Sequence, residues 1–203
     1  MSPHRFILAS ASPRRRELLG ALHMPFTVVP SHAEETLPVG LAPAAAIEAV
    51  ARIKADEVAG RVHQGCWVLA ADTAVVLGDR VLGKPATRAD AESMLRALAG
   101  RSHQVITAVA LLGPDVAEVF SVTTDVRFRP LSLEQVRWYA SLDEPYDKAG
   151  GYAIQGQGAF LVEAINGSYT NVVGLPMAEV VDHLEAAGLA LWGIAPAREA
   201  CGG

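Results

Sequence analysis

Cysteine is scarce in this chain: Cys66 and Cys201 are the two that its 203 residues carry, with no Cys-x-x-C pair. Two are too few for a disulfide framework, so a reducing cytoplasm is the expected compartment. No uncharged run approaches the length of a membrane span, and the apolar "FILASA" near the N-terminus is too short for a signal core. Arginines follow it directly. A positive charge excess is missing as well, since the formal net charge is −5. That argues against a general binder of nucleic acid or anionic membranes. There is no internal repeat, no low-complexity tract and no long linker. With 51% hydrophobic and 19% charged residues, the chain can bury one sizeable core or two small lobes around a cleft. Residues 1–203 read as a single domain, with 189–203 as a C-terminal tail.

Several familiar site motifs are absent too. No glycine-lysine pair is followed by Ser or Thr, which excludes a Walker A loop. "GQGAFL" starts like a dinucleotide fingerprint but lacks its third glycine and a strand-turn-helix setting. No serine-hydrolase elbow occurs. The histidines at 4, 23, 32, 63, 103 and 183 have no zinc-ligand spacing.

Periodicity and punctuation predict alternating strands and helices. "RFILA" (5–9) and "FTVVP" (26–30) read as short strands around a helix capped by Ser12, and 31–42 reads as a loop. Ile47, Val50, Ile53 and Val58 mark the apolar side of a helix over 43–60. A long buried strand then leads to a hairpin turned at Gly78-Asp79, followed by a helix over 90–100. Two strands joined by Gly-Pro-Asp fill 102–130, and Ser132 with Gln135 forms a capping box. A glycine-rich stretch precedes a last helix opened by Pro176. Because several strand pairs are hairpins, the expected fold is α/β with a mixed sheet flanked by helices.

What is present is charge in unusual places. In "SASPRRRELL" (10–19), Pro13 opens a helix whose first turn holds Arg14, Arg15 and Arg16. A helix N-terminus favours acidic residues, so the triplet is either a solvated basic turn or one wall of an anion site. Asp72 lies in apolar "VLAADTAVV", where burial of a carboxylate is costly unless a metal, a cation, a turn hydrogen bond or catalysis compensates. Lys84 in "LGKPAT" reads as a loop lysine, and Lys54, next to Ile53, as a snorkelling one. Glu34 and Glu35 are adjacent carboxylates, either a solvated pair or donors for a hard divalent cation. The glycines of 150–158 either let backbone approach a ligand or serve tight turns. The combined inventory lacks an activated nucleophile. It suits electrostatic stabilisation of a phosphate chain around a divalent metal, with water as the attacking group.

Four stretches, "LASASPRRRELL", "AADTAVVLGDRVLGKP", "LAGRSHQVITAVAL" and "DKAGGYAIQGQGAFLVEAINGSYTNVVGLP", resemble in order and spacing the Maf family of nucleoside triphosphate pyrophosphatases. The resemblance runs over roughly residues 5 to 188. It implies an elongated mixed sheet beside a substrate cleft, similar to inosine triphosphate pyrophosphatase. It also implies hydrolysis of a nucleoside triphosphate to monophosphate and pyrophosphate with a divalent cation, Mg²⁺ or Mn²⁺. Carried over, Ser10, Arg14 and Arg15 hold phosphates and Lys54 and Lys84 add charge. Asp72 is the general base or a metal ligand, and Glu35, with Glu34 beside it, helps hold the metal. Arg16 is left to solvent.

Arg14, Thr73 and Gln155 match the dTTP/UTP group, where the 7-methyl-GTP group tends to have Trp, Gln and Glu. A neutral Gln155 amide can both donate to and accept from a uracil or thymine edge, whereas a carboxylate would suit a cationic methylated guanine. The departure is Ile53, where the family often has Glu or Ala, and it would fall on the cleft wall. The implied partner is a small nucleotide, with neither nucleic acid nor membrane. Such folds commonly form homodimers, although no stripe in the sequence marks an interface. The rival readings are the same chemistry on 7-methyl-GTP or a modified pyrimidine nucleotide, and a nucleotide-binding septum-formation regulator without turnover.

Overall fold

The computed structural model describes residues 6–38, 40–189 and 191. Seven strands make one mixed sheet: β1 (Phe6–Leu8), β2 (Phe26–Val28), β3 (Trp67–Leu77), β4 (Arg80–Leu82), β5 (Ser102–Leu112), β6 (Ala117–Phe128) and β7 (Val162–Asn166). The order is β2-β1-β3-β5-β6-β7, with β4 paired to β3 as the expected hairpin. Strands β2, β1 and β3 run parallel, whereas β3, β5, β6 and β7 are successively antiparallel. β3 is therefore where the sheet changes character.

Helices α1 (Pro13–Gly20), α2 (Pro43–Ala59), α3 (Arg88–Leu98), α4 (Leu133–Tyr139), α5 (Tyr169–Val173) and α6 (Met177–Ala186) flank it. Their starts follow the local chemistry. Ser12 caps α1 by accepting from the Arg15 N–H, and Pro13 occupies its first turn. Thr87 with Asp90, and Ser132 with Gln135, close reciprocal capping boxes on α3 and α4. The sequence reading leaves out β7 and α5. β7 is a partly exposed edge strand without clean alternation, and α5 is a short helix started by Ser168, which accepts from the Asn171 N–H.

The alternation of β3 organises the core. Val68, Ala70, Ala74 and Val76 face α2, packing with Ile47, Ala51, Ala55 and Val58. On the other face Leu69 and Ala71 join Leu19, Val180 and Leu184. Further along, Val75 and Leu77 join Leu95, Leu98 and Phe128. Thr73 lies between these two apolar clusters, on a polar seam, because side chains two apart on a strand share a face.

One sequence expectation is corrected here. Ile53 is 46% exposed and Lys54 is 6% exposed, the reverse of an apolar Ile53 and a snorkelling Lys54. Lys54 stands seven residues after Ile47 and four before Val58, on the stripe that faces the sheet. Ile53 is one position off that stripe and forms no part of the cleft lining.

The glycine-rich stretch is used for tight packing within the chain. A Cβ on Gly158 would lie 2.4 Å from the Ala153 carbonyl oxygen and 2.5 Å from the Tyr139 hydroxyl. The Glu144 carboxylate accepts from the Gln157 and Gly158 N–H groups and from the Tyr139 hydroxyl. That knot anchors the segment leading back to Gln155.

His103 of β5 is buried between Phe128 and Tyr152, with Nε2 2.7 Å from the Tyr152 hydroxyl. Burial pushes its pKa down to about 4. The unfolded chain, with a histidine near pH 6.5, therefore binds the extra proton between about pH 6.5 and 4. Stability is held above that window and falls with pH through it, by about 3 kcal/mol at most. Denaturation curves across that range should slope less for His103→Gln, which does not titrate; parallel slopes would refute this origin.

Candidate functional site

The parallel register sets Leu8 beside Leu69, so two residues further on the end of β1 delivers Ser10 next to Ala71, Asp72 and Thr73. A cleft of about 500 Å³ opens there. Ser10, Arg14, Arg15, Glu35, Lys54, Asp72, Thr73, Lys84 and Gln155 all line it, gathered from positions dispersed through the sequence. Glu34 is exposed and does not line it, so of the adjacent acids only Glu35 belongs. Arg16 is exposed.

Two clusters occupy the two faces of β3. On the α2 face, Lys54 Nζ donates to Asp72 Oδ1 at 2.6 Å and to Glu35 Oε1 at 2.8 Å. The Lys54 side chain is 7% exposed and that of Asp72 16%, so this ammonium is stable inside the protein only because carboxylates surround it. Glu35, 51% exposed, also receives Lys84 Nζ at 3.4 Å. Burial alone would raise the Glu35 pKa. The hydrogen bonds and charges of Lys54 and Lys84 outweigh that and hold it below the ordinary carboxylate value.

The loop carrying Glu35 is fastened by Glu57 of α2, which accepts from the Ser31 hydroxyl at 2.9 Å and the His32 N–H at 3.0 Å. The hydrogen bond from Arg61 chiefly lowers the Glu57 pKa, to about 2, against some opposing desolvation. The loop's polar groups therefore rest on a fixed anion.

On the opposite face, Arg15 is held at three points. Nε donates to the Gly174 carbonyl at 2.7 Å, Nη2 to Thr73 Oγ1 at 2.9 Å and Nη1 to Ser10 Oγ at 3.3 Å. Burial lowers its pKa, and the charges of Asp72 and Glu35 work against that shift. Gly174 ends α5 with φ +125°, a conformation that favours glycine, and this turns its carbonyl toward the guanidinium. Arg14, nearer solvent, approaches Asp147 Oδ2 at 3.9 Å. Asp147 also pairs with Lys148.

Sequence reasoning missed Thr107, Asp147 and Gly174. Thr107 had a signal, since it is the single hydroxyl inside apolar "VITAVALL". Gly174 and Asp147 had none, because their role depends on contacts with residues distant in the chain.

Fold and cleft together define the class: a mixed-sheet α/β protein whose cleft faces paired carboxylates with a set of cations. Within that class the chain belongs to the Maf family, "Maf-like protein", whose match covers residues 5–187. It is 54% identical over 185 residues to the dTTP/UTP pyrophosphatase of Myxococcus xanthus, covering 91% of this chain and 93% of that one. It is 47% identical over 182 residues to the dTTP/UTP pyrophosphatase of Halalkalibacterium halodurans, covering 90% and 95%. Among solved structures, the Staphylococcus aureus Ham1 protein aligns with TM-score 0.48 at 18% identity, over 86% of this chain and 85% of that one.

No helix among the described residues is long and apolar enough to cross a membrane. Nor do the described residues contain a group of three His, Cys, Asp or Glu able to hold a metal by themselves. The carboxylates lining the cleft are Asp72, Glu35 and Asp147; Asp147 is paired with Arg14 and Lys148, whereas Asp72 and Glu35 converge on Lys54 and form the donor set. That set fits a magnesium-type ion, which commonly takes one or two carboxylates and completes its shell with water and substrate phosphates.

Proposed function

We propose that this chain hydrolyses dTTP and UTP to the nucleoside monophosphate and pyrophosphate, as the names of its relatives indicate for them. The observation that carries the reading is the Asp72–Lys54–Glu35 triplet on one face of β3, with Arg15 held beside it from the other.

Arg15, Arg14 and Lys84 bind the phosphate chain, and Ser10 adds a hydroxyl. Their charges neutralise a triphosphate and oppose the build-up of charge as the bond breaks. Lys54 holds Asp72 by Oδ1, and among the described residues Oδ2 has no protein partner. Asp72 Oδ2 takes the proton of a water whose oxygen attacks the α-phosphorus. The bond from the α-phosphorus to its bridging oxygen breaks, and pyrophosphate leaves with that oxygen. When bound, a divalent cation held by Glu35 and Asp72 would supply Lewis-acid stabilisation of the phosphates and a more acidic water. The arginines at the start of α1 then have a reason to oppose its dipole: a polyanion lies between the helix end and the carboxylates.

Gln155 supports the choice of base. It lines the cleft beside Tyr152, Ala153 and Ile154, and its amide makes no hydrogen bond within the described protein. A free amide can satisfy both the donor and the acceptor of a uracil or thymine edge. The test is pyrophosphate release from UTP, dTTP, CTP, GTP, ATP and 7-methyl-GTP with Mg²⁺ or Mn²⁺. Turnover of UTP and dTTP is expected. Gln155→Glu should shift the ratio of kcat/KM for UTP over 7-methyl-GTP by about tenfold or more toward the methylated base. An unchanged ratio would remove Gln155 from specificity, and release from none of the six would overturn the proposed activity.

A further inference from the structure

Thr107 is fully buried on β5, directly across the ladder from Thr73, and its hydroxyl donates to the Asn171 carbonyl at 2.9 Å. A hydroxyl has one proton, so that donation leaves Thr107 as an acceptor toward its other partner. The 2.9 Å contact between the two threonine hydroxyls therefore runs from Thr73 to Thr107. Thr73 in turn accepts from Arg15 Nη2. The direction of each bond is thereby fixed along a chain: Arg15 to Thr73, Thr73 to Thr107, Thr107 to the backbone of α5. The Thr73 hydroxyl has no proton left for a ligand.

The far end of the chain is equally rigid. Asn171 is fully buried, and its amide donates to the Val105 carbonyl and to Thr124 Oγ1. The same α5 segment ends at Gly174, whose carbonyl holds Arg15 Nε. α5 thus grips the guanidinium twice, directly through Gly174 and by relay through Thr107 and Thr73.

We infer that Thr107, buried one residue behind the cleft wall, is a positioning residue that sets the guanidinium of Arg15 through the Thr73 hydroxyl. This rests on the reading of Arg15 as a phosphate holder. It also implies that the Thr73 hydroxyl can meet a nucleotide only as an acceptor, since its proton is committed to Thr107. Thr107 is fully buried and its hydroxyl is taken up by the Asn171 carbonyl and Thr73, so it acts through Thr73 and not by touching a ligand.

The test has two independent readouts on Thr107→Val, Thr107→Ser and Thr73→Val. The first is the guanidinium N–H spectrum of ¹⁵N-labelled protein without nucleotide, the Arg15 signals being assigned from their loss in Arg15→Lys. Thr107→Val and Thr73→Val should both broaden or shift the Arg15 signals, and Thr107→Ser should keep them. The second is steady-state pyrophosphate release from UTP. Thr107→Val should raise KM by about tenfold, the value of one hydrogen bond to a charged group, and change kcat much less. Thr107→Ser should restore KM. In an Arg15→Lys background Thr107→Val should add nothing, whereas a merely structural loss would add in full. Unchanged Arg15 signals in Thr107→Val, or additive losses, would overturn the inference. Should the wild type release no pyrophosphate from UTP, the proposed activity fails, and the Arg15 signals still decide the role of Thr107.

Discussion

Replacing Asp72 by Asn is expected to lower kcat for UTP by a factor on the order of 10² to 10⁴, the usual contribution of a positioned general base. KM should not rise. The substitution keeps the shape of the side chain, and an amide oxygen can still accept from Lys54 Nζ, which now lies 2.6 Å from Oδ1. What is lost is the capacity to receive a proton and one negative charge. Losing that charge makes the cleft more positive, so a triphosphate binds as well or better while the chemical step slows. Single-turnover pyrophosphate release, with nucleotide binding measured separately by titration calorimetry, divides the two effects. A fall of less than about tenfold in kcat would be too small for a general base and would assign proton removal elsewhere.

The second large effect is expected from Lys54→Met, which fills a similar volume and removes the ammonium. In the native protein that ammonium lies between Asp72 and Glu35, almost out of solvent. Without it Glu35 keeps only Lys84, at 3.4 Å, and Asp72 keeps only the more distant charge of Arg15 from the other face of β3. Uncompensated burial of the Asp72 charge should cost about 1–3 kcal/mol of stability at neutral pH, less than a fully enclosed pair because the cleft is open. Turnover should drop by about 10²- to 10³-fold, as when one preorganised electrostatic donor is removed.

The acid side gives this prediction a signature. Glu35 has its pKa held below the ordinary value, chiefly by Lys54 once the opposing effect of burial is overcome. A carboxyl depressed on folding contributes stability above its unfolded pKa and loses it as pH falls through the folded one. The stability gap between wild type and Lys54→Met should therefore be full at pH 7 and narrow below about pH 4. Chemical denaturation at the two pH values checks it. A gap that stays constant would mean that packing of the lysine stem, rather than its charge, is what the variant loses.

Local features of this chain are legible because they depend on neighbours a few residues away. Ser12 and Pro13 start α1, Ser132 and Gln135 close a capping box, and Gly78-Asp79 turns a hairpin, all as read from the chain. The long motifs carry the family in the same way, and it is the family resemblance, rather than the setting of each residue, that gathers Ser10, Arg14, Arg15, Glu35, Lys54, Asp72 and Lys84 into one site. Misreadings arose where the deciding contact is distant. Lys54 beside Ile53 reads as a snorkelling lysine, although it continues the Ile47–Ala51–Val58 stripe, since an apolar neighbour is a stronger local signal than a charged residue in line. Glu34 and Glu35 are indistinguishable in sequence, and only the loop pinned by Glu57 selects Glu35 for the cleft.

Local chemistry therefore makes most elements, their ends, the mixed sheet and the family legible in the chain, with β7 and α5 as the exceptions. Tertiary structure alone decided which acid meets Lys54, why Thr73 has no free proton, and that Arg15 is held by Gly174 and Thr107. The physical reason is the range of the interactions. Caps, turns and periodicities are satisfied within a few residues. Two successive residues of β3, by contrast, point to opposite faces, and each finds its partners on segments that only the packing of the whole sheet brings within hydrogen-bond distance.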